Sequence, residues 1–332
     1  MFLDVVAVAV GLALVIRGAD YLLDGALYFV RRFRVPEIVV GLTVVAFGTS
    51  LPELVINVIA SLRGEAGITV GNIVGSNIAN VLLILGISAL ISPIRRHALI
   101  LRREIPLNLV LVLLLILFMF LPAGKPVLSR AEGLMLLLFF AGYLYLTLSK
   151  ARGEDLEDGK GEGSTATAVA QVLGGSIALA FGSNWALNGA VGLAHYLGIS
   201  EVFIGLFVLA VGTSLPELIT STMAAARGNP YIAIGNVSGS NIFNVAMILG
   251  LSALIRPITL PDRAAFDVLF LLLTTVLLLF FTMVSRGNLL GRRRGILFIA
   301  VYILYLVLSL KIERLGLPGV FLALDSAIRN LL

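Results

Sequence analysis

Several stretches of this chain are copies of others at one fixed distance. GTSLPEL at 48–54 returns unchanged at 212–218, a shift of 164, and GNIVGSNIAN at 71–80 returns as GNVSGSNIFN at 235–244 with the same shift. LILGISALISPI at 83–94 and MILGLSALIRPI at 247–258 keep that register, as do GADYLLDGA at 18–26 and GSNWALNGA at 182–190. Matched pairs in a single register mean a duplication with no insertion inside either copy. The chain therefore has to build one arrangement twice.

The residues between the repeats say in which solvent. Residues 105–121, IPLNLVLVLLLILFMFL, carry no charge, and 268–285 and 295–310 are similar blocks. A helix needs about 20 apolar residues to cross the hydrocarbon layer. Only 13% of the chain is charged, whereas a soluble domain carries about a quarter. Ten spans are expected near 4–30, 37–62, 68–91, 104–121, 129–149, 167–197, 201–226, 232–255, 264–285 and 294–312. No basic stretch precedes the first of them, so it is expected to be a lasting helix rather than a leader.

Five spans separate one copy from the next. Five is odd, so the second copy enters the membrane from the opposite side. The expected fold class is thus an all-α integral membrane protein of ten transmembrane helices. They form two inverted five-helix repeats, with interrupted helices 2, 3, 7 and 8 as the core. The expected units are a first repeat at 1–149, a cytoplasmic linker at 150–166, a second repeat at 167–312 and an interfacial tail at 313–332.

Placing the N-terminus outside puts fifteen Lys and Arg residues in the cytoplasmic loops and eight outside. The positive-inside rule therefore predicts a multi-pass protein of the cell (inner) membrane with both termini extracellular. The net charge of +5 is accounted for by these border residues and needs no nucleic-acid partner. No obligate protein partner is evident, and lipid surrounds the chain. There are no cysteines, which excludes thiolate metal sites and disulfides.

Polar residues interrupt the apolar spans at mid-depth. In the second span the interruption is Gly48-Thr49-Ser50-Leu51-Pro52-Glu53. Pro52 lacks an N–H and its ring clashes with the carbonyl four residues back, so a kink is expected. The kink should turn the neighbouring Thr49 carbonyl away from its helical partner. A freed carbonyl inside a membrane needs a substitute partner, and a cation is one. Glu53 follows Ser50 and Thr49 by three and four residues and shares their helix face. Thr213, Ser214, Pro216 and Glu217 repeat the pattern in the seventh span. In the third span Ser76 and Asn80 share a face at i, i+4, and Gly71 and Gly75 permit close helix approach. Ser240 and Asn244 repeat this in the eighth.

These groups offer oxygen only, which suits hard cations such as Na⁺ and Ca²⁺. An ionised carboxylate at the bilayer centre costs about 2.5–3.5 kcal/mol or more, and neither interrupted segment holds a basic residue. Glu53 and Glu217 therefore need a cation or a proton, and either is ion-transport chemistry. Two ionised glutamates are balanced by one Ca²⁺ or by two Na⁺, and a third Na⁺ would leave the site at +1. Competition for one carboxylate pair is a physical basis for antiport. Asn57, Asn72, Asn77, Asn236 and Asn241 are as well explained by interhelical hydrogen bonding as by an ion path. Asp20 and Asp24 are expected to pair with Arg17 or the basic cluster at 31–34. His97 and His195 lie near loops and are not expected to be ligands.

GTSLPE and GNxxGSNxxN, each present twice, resemble the two α-repeats of the sodium/calcium exchanger family of the calcium/cation antiporter superfamily, in its compact prokaryotic form. The resemblance extends over residues 1–312. It implies a central calcium site from Glu53 and Glu217 with the carbonyls of Thr49 and Thr213. It also implies flanking sodium sites from Ser50, Ser76, Ser214, Ser240 and the carbonyls of Ala46 and Ala210, with Asn80 and Asn244 nearest the middle. The family's usual three Na⁺ per Ca²⁺ fits the charge balance above. Many prokaryotic and potassium-dependent members carry Asp where this chain has Asn244, which favours a potassium-independent exchanger. The proton-coupled branch typically has a GNAxE-like segment instead of GTSLPE.

The function expected is therefore secondary active exchange of Na⁺ for Ca²⁺ by alternating access, electrogenic and independent of K⁺. H⁺/Ca²⁺ antiport is the alternative within transport, and a cation channel the alternative outside it. No nucleophile–base set or HExxH-type motif suggests an enzyme, and no cofactor beyond the transported ions is implied.

Overall fold

The computed structural model of the chain describes residues 1–120, 127–151, 164–199, 210–260, 264–285 and 288–315. Most of the expected linker, the tail beyond 315, and residues 201–209 of the seventh expected span lie outside the described residues.

The architecture is almost wholly helical. Helix α1, Phe2–Phe33, has 32 residues and is about 48 Å long at 1.5 Å per residue, well over the thickness of the hydrocarbon layer. It stops at Arg34, whose φ of 48° is left-handed, ahead of Pro36. Helix α2, Glu37–Thr49, and helix α3, Leu51–Arg63, form a pair bent by 49° at Ser50. The second of these ends on Gly64 at φ 78°, whose N–H caps the carbonyls of Ala60 and Ser61. Then come α4 (Ala66–Ile91), α5 (Ile105–Phe120), α6 (Arg130–Ala151) and α7 (Thr165–Tyr196). The second half holds α8 (Ala210–Thr213), α9 (Leu215–Ala226), α10 (Pro230–Ile255), α11 (Ala264–Val284) and α12 (Arg292–Leu315).

Among the described residues seven helices are long and apolar enough to cross a membrane, and the bent α2–α3 pair makes up to eight. These coincide with eight of the ten expected spans. The other two, 104–121 and 201–226, correspond to the 16-residue α5 and to α8 with α9.

The expected interruptions divide into two kinds. Helices 2 and 7 do break, at Ser50 and Ser214. Helices 3 and 8 do not: α4 and α10 run through continuously and are only widened into π-turns at Asn80–Ile84 and Phe243–Leu249. The reason is the absence of proline from their interiors; Pro230 stands in the first turn of α10, where no N–H is needed. In α10 the glycines serve contact instead of breakage, whereas no described atom lies within 4 Å of a Cβ on Gly71 or Gly75 of α4, where close helix approach was expected. A Cβ on Gly235 would lie 2.6 Å from the Ile38 carbonyl oxygen, and one on Gly239 2.5 Å from that of Leu42, so α2 lies directly against α10.

Burial separates core from periphery. Within their apolar windows α4 and α10 are 83% and 78% buried, but α1 and α7 only 22% and 28%. The two peripheral helices pack on each other through glycine. A Cβ on Gly11 would meet Gly182 and Ala186, one on Gly18 would meet Gly175 and Leu179, and one on Gly25 would meet Ala168 and Val172. Partner numbers fall as α1 rises, so the helices run antiparallel. Gly11, Gly18 and Gly25 recur every seven residues and map onto Gly175, Gly182 and Gly189 by the same 164. A small apolar cluster including Leu22, Leu23, Val45, Leu179 and Ile232 joins this pair to the core.

Two short antiparallel ladders stitch the halves together. Strand β1 (Ile94–Arg95) pairs with β4 (Asn288–Leu290), and β2 (Val127–Leu128) pairs with β3 (Ile258–Thr259). The first two strands flank α5 in the chain, and the last two flank α11, so the ladders sit at opposite ends of these helices.

Candidate ion site

Each break positions a glutamate. Ser50 leaves the helix at φ −87°, ψ 8°, and Ser214 does so at φ −86°, ψ 10°. Helix α3 then starts with Leu51 and Pro52, and α9 with Leu215 and Pro216, so each proline stands where its missing N–H costs nothing. Glu53 and Glu217 follow in the first turn, where the helix dipole favours negative charge. They are 0% and 1% exposed, and no Lys or Arg among the described residues is shown paired with either.

The two halves meet here. Ser50 Oγ donates to Glu217 Oε1 at 2.8 Å. The hydroxyls of Ser50 and Ser240 lie 3.0 Å apart, and Ser240 Oγ is 3.5 Å from Glu217 Oε1. Glu53 and Glu217 are near enough to act on each other electrostatically. Thr49 Oγ1 reaches the Ala46 carbonyl at 3.3 Å and Asn236 Oδ1 at 3.1 Å. Asn236 Nδ2 in turn donates to Ser221 Oγ at 2.9 Å. The Ala46 carbonyl also accepts the Ser50 N–H at 3.0 Å, and the single Thr49 hydroxyl proton is shared between that carbonyl and Asn236 Oδ1. Ala210 opens α8, and Thr213 closes it at 9% exposure.

The inner asparagines are held by two others. Asn80 Nδ2 donates to Asn241 Oδ1 at 2.9 Å, and Asn244 Nδ2 to Asn77 Oδ1 at 3.0 Å. Sequence gives Asn77 and Asn241 no mark that sets them apart from Asn72 and Asn236, which are mates by the same shift of 164.

The arrangement leaves many buried oxygens without a hydrogen-bond partner. They are both carboxylate oxygens of Glu53, Oε2 of Glu217, Oδ1 of Asn80 and Asn244, and the hydroxyls of Ser76 and Ser214. Such atoms normally cost about 1–3 kcal/mol each. Partnerless buried polar atoms also lie elsewhere, on Ser88, Ser252, Thr274 and Ser309 among others, but these seven oxygens all belong to residues singled out above and are of the kind a hard cation takes. The halves are not equivalent. The set Ser50, Glu217 and Ser240 is bonded together, whereas neither the Glu53 oxygens nor the hydroxyls of its mates, Ser214 and Ser76, have a partner.

Other polar groups resolve differently. Asp20 and Asp24 bind Arg227, which follows α9: Arg227 donates to Asp24 Oδ1 at 2.9 Å and to Asp20 Oδ1. This corrects the expectation of a partner nearby in sequence, because the turn after α9 packs across α1. Glu104, fully buried, is bound by Arg103 at 2.6 Å and by the Tyr143 hydroxyl at 3.2 Å. A cavity of about 540 Å³ lies away from Glu53 and Glu217, lined by Glu37, Arg95, His97 and Tyr231 among others. His97 stacks edge-on against Tyr231 there.

Comparison with known proteins gives a consistent result. Residues 3–149 and 167–311 match the family described as "Sodium/calcium exchanger protein". The inner membrane protein YrbG of Escherichia coli is 37% identical over 268 residues, 77% of this chain and 81% of that one. The sodium/calcium exchanger MaX1 of Methanosarcina acetivorans is 32% identical over 337 residues, covering 90% and 95%. The solved structure of the sodium-calcium exchanger NCX_Mj superposes with a TM-score of 0.80 at 33% identity, covering 92% of this chain and 98% of that one.

Proposed function

The chain belongs to the sodium/calcium exchanger family, and from that membership we propose that it exchanges Na⁺ for Ca²⁺ at the Glu53–Glu217 centre. It is a multi-pass membrane protein and a cation antiporter. The observation that carries the proposal is the bare Glu53 carboxylate, linked through its neighbour Ser50 to Glu217.

Ca²⁺ sits between the two glutamates, with the carbonyls of Thr49 and Thr213. Na⁺ occupies flanking positions made by Ser50, Ser76, Ser214, Ser240 and the carbonyls of Ala46 and Ala210. A sodium ion on Ala46 displaces the Thr49 hydroxyl, which now shares that carbonyl. Asn80 and Asn244 add neutral oxygens at the middle. Ca²⁺ cancels the charge of the pair and three Na⁺ exceed it by one, so exchange is electrogenic. Asn244 carries no charge, so K⁺ is not needed.

The frame we propose is ten spans in two inverted repeats, 1–149 and 167–312, with both termini outside and the site at the pseudo-two-fold axis. The matching φ and ψ at Ser50 and Ser214 support it. The E. coli relative is named as an inner membrane protein, which supports the same location here.

The test is ⁴⁵Ca²⁺ uptake into sodium-loaded proteoliposomes, with and without external K⁺. Uptake should follow the sodium gradient and ignore K⁺. Glu53→Gln and Glu217→Gln should each abolish it; near-normal uptake by either refutes the site. Uptake driven by a pH gradient without sodium would replace Na⁺ by H⁺ as the coupling ion, and flux indifferent to an opposing sodium gradient would mean a channel.

A further inference from the structure

Four buried amides from α4 and α10 form a closed circuit. Asn77 Nδ2 donates to the Asn241 main-chain carbonyl at 3.1 Å, and Asn241 Nδ2 returns the bond to the Asn77 carbonyl at 3.3 Å. Each then accepts at Oδ1 from the inner asparagine of the other helix: Asn77 from Asn244, Asn241 from Asn80. What remains is Oδ1 of Asn80 and of Asn244, both buried and without a partner.

The direction of this circuit is dictated rather than chosen. A carboxamide is symmetric in shape, and which end is nitrogen follows from its hydrogen bonds. A main-chain carbonyl can only accept, so the ends of Asn77 and Asn241 that face those carbonyls must be nitrogen. Their other ends are then oxygen, which can only accept. Asn80 and Asn244 must offer their nitrogens to these, and their oxygens turn the other way. Reversing any one amide would set oxygen against oxygen at a buried position.

We infer that Asn77 and Asn241 are positioning residues that hold Asn244 and Asn80 with their amide oxygens toward the cation. This rests on the reading of Asn80 and Asn244 as ion ligands. A free amide would present its N–H₂ end, with partial positive charge, as readily as its oxygen, and that end repels a cation. Each outer asparagine acts on the inner asparagine of the opposite helix, which a mere interhelical fastening does not require.

The experiment uses the full-length protein in proteoliposomes and reads KM for Ca²⁺ and maximal rate of sodium-driven uptake, with thermal unfolding in detergent alongside. Asn244→Ala should raise KM about tenfold, the equivalent of about 1.4 kcal/mol. Asn77→Ala should raise it similarly while the maximal rate changes little. Added to Asn244→Ala, Asn77→Ala should have no further effect on KM; added to Asn80→Ala, it should multiply the effect. Asn241→Ala should behave as the mirror case, acting through Asn80. If Asn77→Ala alters KM equally on both backgrounds, or leaves it unchanged while Asn244→Ala raises it, the positioning role is overturned and the ligand role stands. If neither Asn244→Ala nor Asn80→Ala moves KM, the ligand reading falls and this inference with it. Failure of both Asn77→Ala and Asn241→Ala to fold would make the circuit structural and overturn the inference too.

Discussion

Ser50 Oγ lies 2.8 Å from Glu217 Oε1, although the two residues are 167 apart in the chain. A hydroxyl beside one carboxylate is thus bound to the other, across the two halves. Hydrogen bonds to charged groups contribute about 1.5–3 kcal/mol. Ser50→Ala should raise KM for Ca²⁺ by roughly tenfold or more and leave the protein folded, as measured by ⁴⁵Ca²⁺ uptake at graded Ca²⁺. Ser214→Ala, whose hydroxyl is unpartnered here, should have the smaller effect on Ca²⁺ affinity.

Ion binding should also appear as stability. A ligand at a hundredfold its dissociation constant stabilises the folded state by about 2.7 kcal/mol. Adding Ca²⁺ or Na⁺ to ion-stripped protein should therefore raise its unfolding temperature, and chelation should reverse the Ca²⁺ effect. In Glu53→Gln the shift should vanish, as followed by thermal unfolding in detergent.

The buried Arg103–Glu104 pair predicts a loss without any ion. Arg103 holds Glu104 at 2.6 Å and also donates to Thr147 Oγ1 at 3.0 Å. Removing one partner of a buried pair costs about 3–5 kcal/mol, because the other charge is stranded. Arg103→Leu should therefore lower the unfolding temperature strongly. Glu104→Gln, which can still accept from Tyr143, should cost less. Equal losses in the two variants would contradict this.

Arg227 bridges Asp20 and Asp24 on α1. Its repeat mate is Arg63, and the mates of the two acids are Asn184 and Asn188, which carry no charge. The ionic clasp thus has no charged counterpart at the other end. Partly exposed pairs contribute at most about 1 kcal/mol to stability, so Arg227→Gln should unfold at nearly the native temperature. Because the clasp ties α1 to the turn between α9 and α10, its loss should change the maximal uptake rate about twofold or more while KM stays put. Initial rates at saturating Ca²⁺ measure this.

The sequence revealed most where it repeats itself. The copied GTSLPE located both breaks and both glutamates, since a proline and a lone carboxylate in an apolar span have few physical explanations. Continuity of α4 and α10 was harder to foresee: a glycine within a membrane helix is equally compatible with a break and with contact against another backbone, and although neither helix has an interior proline, in α10 it is the packing of Gly235 on Ile38 that shows contact. The amide circuit was hidden for a related reason. Asn77 and Asn80 are alike in chemistry, and which one faces the centre depends on a partner helix about 160 residues away. The bond from Arg227 to Asp20 likewise spans 207 residues, beyond the reach of any local pattern. The glycines of α1 and α7, spaced by seven, are legible in the sequence, but which helix they face is not.

The two small ladders constrain any motion. Strands β1 with β4 and β2 with β3 stitch first half to second at both ends of the bundle, so the halves cannot swing apart like a clamshell without tearing backbone hydrogen bonds. The α1–α7 pair lies outside those seams, its helices bound to each other through glycine and to the rest by a modest apolar cluster and the Arg227 clasp.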